Sequence, residues 1–84
     1  MTLLELNVGD VAIVEQVSVG RHGSELANRL AALGVVSNKP IQVLRKAKLG
    51  GPLHIRVGLT TEIALRCREA DTVKVRLQNA GRVR

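Results

Sequence analysis

The segment Leu53-His54-Ile55-Arg56-Val57 alternates apolar and polar residues without a break, and four other short stretches share its character. Such alternation puts every second side chain on one face of an extended chain, so it encodes a half-buried β-strand. The stretch from Glu62 to Cys67 places Ile63 and Leu65 inward and Ala64 and Arg66 outward. From Thr72 to Leu77, Val73, Val75 and Leu77 face in while Lys74 and Arg76 face out. Ile41 to Ala47 follows Pro40, tolerated where a strand begins, with Ile41 and Val43 inward and Gln42 outward. Val11 to Val17 is rich in β-branched residues, yet neither of its faces is polar throughout. That pattern predicts a strand covered on both sides or bulged.

One segment breaks the period. Leu26, Leu30 and Leu33 recur at i, i+4 and i+7, which places them on one face of a helix. Ser24 is the expected cap at its start, with Glu25 at the positive end of the helix dipole, and Gly34 is the expected stop. Val19 to Gly23 before it reads as loop, and Arg68 to Asp71 as a turn or helical fragment. Leu3, Leu4 and Leu6 suit one helical turn or an extended arm docked on the core. Five short strands, one inserted helix and no long crossovers point to a small, strongly bent antiparallel barrel, not to parallel βαβ units. With 84 residues the chain makes one domain, expected over residues 1–77 with a basic flexible tail at 78–84. Leu, Val and Ile number 12, 12 and 4, enough for a dry core, and a barrel this small fills itself with side chains.

Phe, Tyr and Trp are absent, which removes the stacking platforms that usually hold single-stranded nucleic acid. A single cysteine, Cys67, forms no internal disulfide and suits a reducing compartment. No stretch approaches the roughly 18 apolar residues of a membrane span, and Met1 to Leu6 is too short for a signal peptide, so a cytoplasmic location is expected. The net charge of +6 is unevenly spread: residues 1–44 balance at −1 and residues 45–84 at +7. The second half is an electrostatic footprint for an acidic partner or membrane surface, or else a solvated exterior.

Little of this supports catalysis or metal binding. His22, His54 and Cys67 are the whole supply of imidazole and thiol. Cys67 runs in phase with Ile63 and Leu65 and is expected as a buried structural thiol, while His54 is expected to face solvent or be lightly paired and His22 to be solvated. There is no Cys-x-x-Cys, no His-x-x-x-His and no carboxylate cluster, so neither a cofactor nor a metal site is expected. Gly50-Gly51-Pro52 lacks the lysine and hydroxyl of a phosphate-binding loop and reads as a hairpin turn. Arg56, Arg66, Lys74 and Arg76 could meet phosphates, which keeps a small RNA- or DNA-binding barrel as the alternative reading.

The ordered pattern resembles the FeoA family. It is carried by Val8-Gly9-Asp10, by Arg29-Leu30-Ala31-Ala32-Leu33-Gly34 and by Leu49-Gly50-Gly51-Pro52, followed by Ile55-Arg56-Val57, Ile63-Ala64-Leu65-Arg66 and Val73-Lys74-Val75. Gly58 to Glu62 looks one residue longer than the family's usual turn. The resemblance implies an SH3-like barrel, with no enzyme activity, that acts as a cytosolic accessory of bacterial ferrous iron uptake. Its implied partner is FeoB, the membrane permease with a cytosolic G-protein domain, with weak self-association and no specific nucleic acid. A pathway name is not an iron-binding claim. The expected working surface binds protein: Leu49, Gly50, Gly51 and Pro52 in the central connection, Leu44 on the outward face of its strand, and Leu59 at a turn tip. Arg45, Arg56 and Arg66 would supply charge, while Arg29 is expected to hold the helix against a loop.

Overall fold

The computed structural model describes residues 1–18 and 23–78. A 3-10 helix at Leu3–Glu5 is followed by β1 (Val11–Val17), α1 (Gly23–Ala32), β2 (Pro40–Lys46), β3 (Leu53–Val57), β4 (Thr61–Leu65), α2 (Cys67–Ala70) and β5 (Val73–Leu77). The strands form one antiparallel sheet in the order β4-β3-β2-β1-β5. The expected loop at residues 19–22, with His22, and the tail at 79–84 lie outside the described residues.

Two bulges bend the sheet onto its own apolar face. One falls between Val14 and Gln16 of β1 against β5, the other between Val43 and Arg45 of β2 against β3. An extra residue in one strand reverses which side chains face inward, so Ala12 and Val14 are buried while Val17, beyond the bulge, packs against the core again. That is why β1 shows no consistently polar face in the sequence. One aliphatic core then joins Val43 of β2, Leu53 and Ile55 of β3, Leu65 of β4 and Val73 and Val75 of β5. Leu3 and Leu6 seal one side of it, with Leu4 half-buried. No charged or polar side chain is buried among the described residues.

The helix departs from expectation at its start and in the extent of its apolar stripe, while Gly34 is the expected stop. It starts at Gly23, so Ser24 lies inside the first turn and is not the cap. At the other end Gly34 adopts φ +99°, the Gly34 N–H donates to the Ala31 carbonyl and the Val35 N–H donates to the Leu30 carbonyl. This pair of bonds is a Schellman stop, and it brings Val35 beside Leu30 in the core. Leu33, the cap residue before Gly34, is turned out and 38% exposed. The apolar stripe therefore runs from Leu26 through Leu30 to Val35, not to Leu33.

Cys67 also differs from its expected place. Strand β4 ends at Leu65, and Cys67 opens α2 as a half-buried residue instead of closing the strand. The Gly58-Leu59-Thr60 connection is a three-residue turn closed by the Val57–Thr61 pair.

Candidate functional site

The turn from β2 to β3 is built by short-range sterics. The Gly51 N–H donates to the Lys48 carbonyl, and between them Leu49 and Gly50 both have positive φ, +60° and +78°. Positive φ at both central positions is the signature of a type I′ turn, which ordinarily selects Asn-Gly or Gly-Gly. A leucine there is strained, since its Cβ crowds the backbone in the left-handed region. Its side chain is fully exposed. Gly51 is required for another reason: a Cβ would lie 2.5 Å from the Ala47 Cβ.

The turn is anchored from behind. The Cys67 Sγ lies 3.3 Å from the Gly50 and Gly51 carbonyl oxygens, and the Ala47 N–H donates to the Pro52 carbonyl. The thiol thus ties the turn to the start of α2. Pro52 shares a surface groove of about 530 Å³ with Ala64, Leu65, Arg66, Arg68, Glu69 and Arg29.

Glu69 organises that groove. Its Oε1 accepts the Arg66 backbone N–H at 2.9 Å, capping α2, and its Oε2 takes the Arg29 guanidinium from α1. Burial alone would raise its pKa; the Arg66 N–H and the Arg29 guanidinium outweigh this and hold the carboxyl below the usual range. Arg29 therefore holds helix to helix, not helix to loop. The signal in the sequence was the Glu three residues after Arg66, the spacing by which an N3 carboxylate caps its own helix. Thr2 and Glu5 repeat it: the Thr2 N–H donates to Glu5 Oε1. Lys46, another residue missed in the sequence, donates from Nζ to the Leu4 and Leu6 carbonyls and pins the 3-10 helix to β2.

The structure brings Leu49, Gly50, Gly51, Pro52 and Arg66 together at one end of β3. Arg45, exposed, and Leu44, half-buried, stand at the β2 bulge one and two residues from that end. Leu59 and Arg56 belong elsewhere. Leu59 is at the opposite end of β3, about 14 Å away along that strand alone. There it lines a smaller groove of about 210 Å³ with Val11, Pro40, Ile41, Gln42, Arg56 and Gly58. Arg56 reaches Glu62 at 3.7 Å and Gln42 at 3.5 Å, and His54 Nε2 lies 3.2 Å from Glu62. By contrast, Arg66, Arg68, Arg45 and Lys48 meet no carboxylate within 4.0 Å among the described residues. Nor do the described residues gather three or more His, Cys, Asp or Glu side chains into a metal-holding group.

Residues 1–77 match the FeoA domain family. The chain belongs to the FeoA family. FeoA proteins are accessory proteins of ferrous iron transport, and the five-stranded antiparallel sheet with one inserted helix is their SH3-like fold. A FeoA from Stenotrophomonas maltophilia, solved with zinc, is 38% identical, with 90% of this chain and 89% of that one covered at a TM-score of 0.79. It is described as a prokaryotic SH3-domain protein and a candidate activating factor of bacterial ferrous iron transport. The FeoA of Chlorobium tepidum is 32% identical over 92% of this chain and 70% of that one, at a TM-score of 0.79. A manganese-dependent transcriptional repressor shares the fold at a TM-score of 0.82 and 17% identity, with 93% of this chain matching 41% of the repressor. No curated relative matches the sequence. No helix among the described residues is long and apolar enough to cross a membrane.

Proposed function

We propose that this FeoA protein works by docking on the cytosolic side of a FeoB-type ferrous iron permease, through the β2–β3 turn and the cations beside it. It acts there as a regulator without chemistry of its own. The observation that carries this reading is the mounting of Leu49: a fully exposed leucine in a strained turn backed by Ala47 and the Cys67 thiol, beside Arg45 and Arg66, neither of whose guanidinium groups has a carboxylate within 4.0 Å among the described residues. An apolar anchor flanked by free charge is the composition of a small interface centre. Family membership and the transport role ascribed to the Stenotrophomonas protein support the choice of partner.

Co-purification with the permease in neutral detergent tests it. Truncating an apolar anchor typically costs about 2 kcal/mol or more, so Leu49→Asp should abolish capture while the barrel stays folded. Arg66→Glu should weaken capture in a salt-dependent way. Arg56→Glu, whose guanidinium faces Glu62, should have a smaller effect. GTP hydrolysis by the isolated protein should be absent in every variant. Normal capture of folded Leu49→Asp together with a silent Arg66→Glu places the docking surface elsewhere.

A further inference from the structure

The tip that carries Leu49 is convex. The leucine projects from the turn instead of lining a groove, so whatever receives it has to yield around it. The turn is backed from behind: a side chain at Gly51 would meet Ala47, and the Cys67 Sγ lies 3.3 Å from the Gly50 and Gly51 carbonyl oxygens. Beside the knob lie Lys48 in the same turn and Arg45 on β2, while Arg66 and Arg68 at the start of α2 share with Pro52 and Glu69 the groove behind the turn. None of these four has a carboxylate within ion-pair distance among the described residues. The opposite end of the sheet also offers an exposed leucine, Leu59, but there Arg56 is occupied by Glu62.

We infer that the β2–β3 tip inserts into the headgroup region of an anionic lipid bilayer. A deformable, negatively charged plane is the surface that accepts a projecting aliphatic knob flanked by cations with no side-chain ion pair. Leu49 reaches below the headgroups, while Lys48, Arg45, Arg66 and Arg68 lie at the level of the phosphates. A folded nucleic acid would use the cations but gain nothing from a leucine at their centre. The inference rests on the same tip as the permease reading and takes the lipid, not the permease, as its ligand. The two are alternative engagements of one tip: lipid contact would hold the barrel at the membrane and raise its local concentration beside a membrane-embedded partner, to which the tip could then transfer. One aliphatic side chain and a handful of charges make the attachment weak, reversible and salt-sensitive, each cation near the surface contributing about fivefold.

The test uses the full chain, no permease, and sedimentation with vesicles of phosphatidylcholine alone or mixed with phosphatidylglycerol. Binding is expected only to the mixed vesicles and should fall as salt rises. Leu49→Asn suits the type I′ turn and keeps the protein folded, checked by thermal melting, yet should lose binding by about fivefold or more. Arg66→Glu and Arg68→Glu should each lose at least about fivefold, whereas Lys39→Glu, the same charge change at the opposite end of the sheet, should leave binding nearly intact. No binding to mixed vesicles, undiminished binding by Leu49→Asn, or an equal loss in Lys39→Glu overturns the inference. So does displacement by RNA that is indifferent to Leu49, which would make the tip a phosphate surface. Because permease capture is measured in neutral detergent and vesicle binding without permease, either reading can fail while the other stands.

Discussion

Leu49 and Asn38 are the two non-glycine residues with positive φ among the described ones, and they differ in what that conformation costs. An asparagine tolerates the left-handed region because its short side chain can bond the local backbone. Leucine has no such compensation. Leu49 also buries none of its surface, so neither turn preference nor core packing explains its presence. Strain retained without a folding benefit is where function is to be sought. Leu49→Asn should raise the stability of the protein, by about 1 kcal/mol, because it relieves the left-handed penalty and removes no buried contact. Chemical denaturation of the two proteins measures it; a clear loss of stability in Leu49→Asn would show that the leucine contributes to folding after all.

At the scale of elements the junction is α2, four residues long yet tied in three directions. Cys67 reaches the β2–β3 turn, Glu69 reaches α1, and Ala70 is buried in the core. Glu69 makes this junction pH-sensitive. Its carboxyl is held below the ordinary value, so between that lowered value and the ordinary range the unfolded chain binds more protons than the folded one. Its contribution is complete above the unfolded value and is lost as acid takes the pH down through the folded one. Glu69→Gln keeps an acceptor for the Arg66 N–H but drops the ion pair with a half-exposed Arg29, and should cost under about 1 kcal/mol at neutral pH. Glu69→Ala loses the cap as well and should cost about 1–2 kcal/mol. Stability measured from neutral to acid pH should fall less steeply in both variants than in the parent; an unchanged acid limb would mean that other carboxyls set it. Of this junction the sequence showed a helical fragment near Arg68 to Asp71 and a structural Arg29, but not that Arg29 meets Glu69 or that Cys67 reaches the β2–β3 turn. The strands were legible because a period of two survives in any half-buried sheet, and β3 was read residue for residue. Leu33 was misplaced because periodicity is blind to where a Schellman stop reverses the chain. Cys67 was placed on β4 because alternation ran past the point where hydrogen bonding ended. The candidate site was read in part: Leu49, Gly50, Gly51, Pro52 and Arg66 do converge, but Leu59 and Arg56 are separated from them by a strand length that composition does not carry.

For the molecule as a whole, the two edges of its sheet differ in what covers them. The outer edge of β5 is covered: the Val75 N–H donates to the Met1 carbonyl, and Thr2 bridges to Lys74. Among the described residues the outer edge of β4 has no strand beside it in the sheet order, and its exposed Ala64 is neither charged nor bulky. An uncovered edge is a template for another strand, and the simplest partner is β4 of a second copy, paired antiparallel about a twofold axis. Two features hold the pairing weak. The edge is five residues long, and each copy brings a net charge of +6. Self-association should therefore be detectable only at high protein concentration and should strengthen with salt, the opposite response from binding to lipid or nucleic acid. Sedimentation across a concentration series is the measurement. Ala64→Lys, which adds charge to the uncovered edge, should abolish the dimer, and Lys74→Ala on the covered edge should not. A dimer that survives Ala64→Lys, or weakens as salt rises, would assign self-association to a surface other than β4.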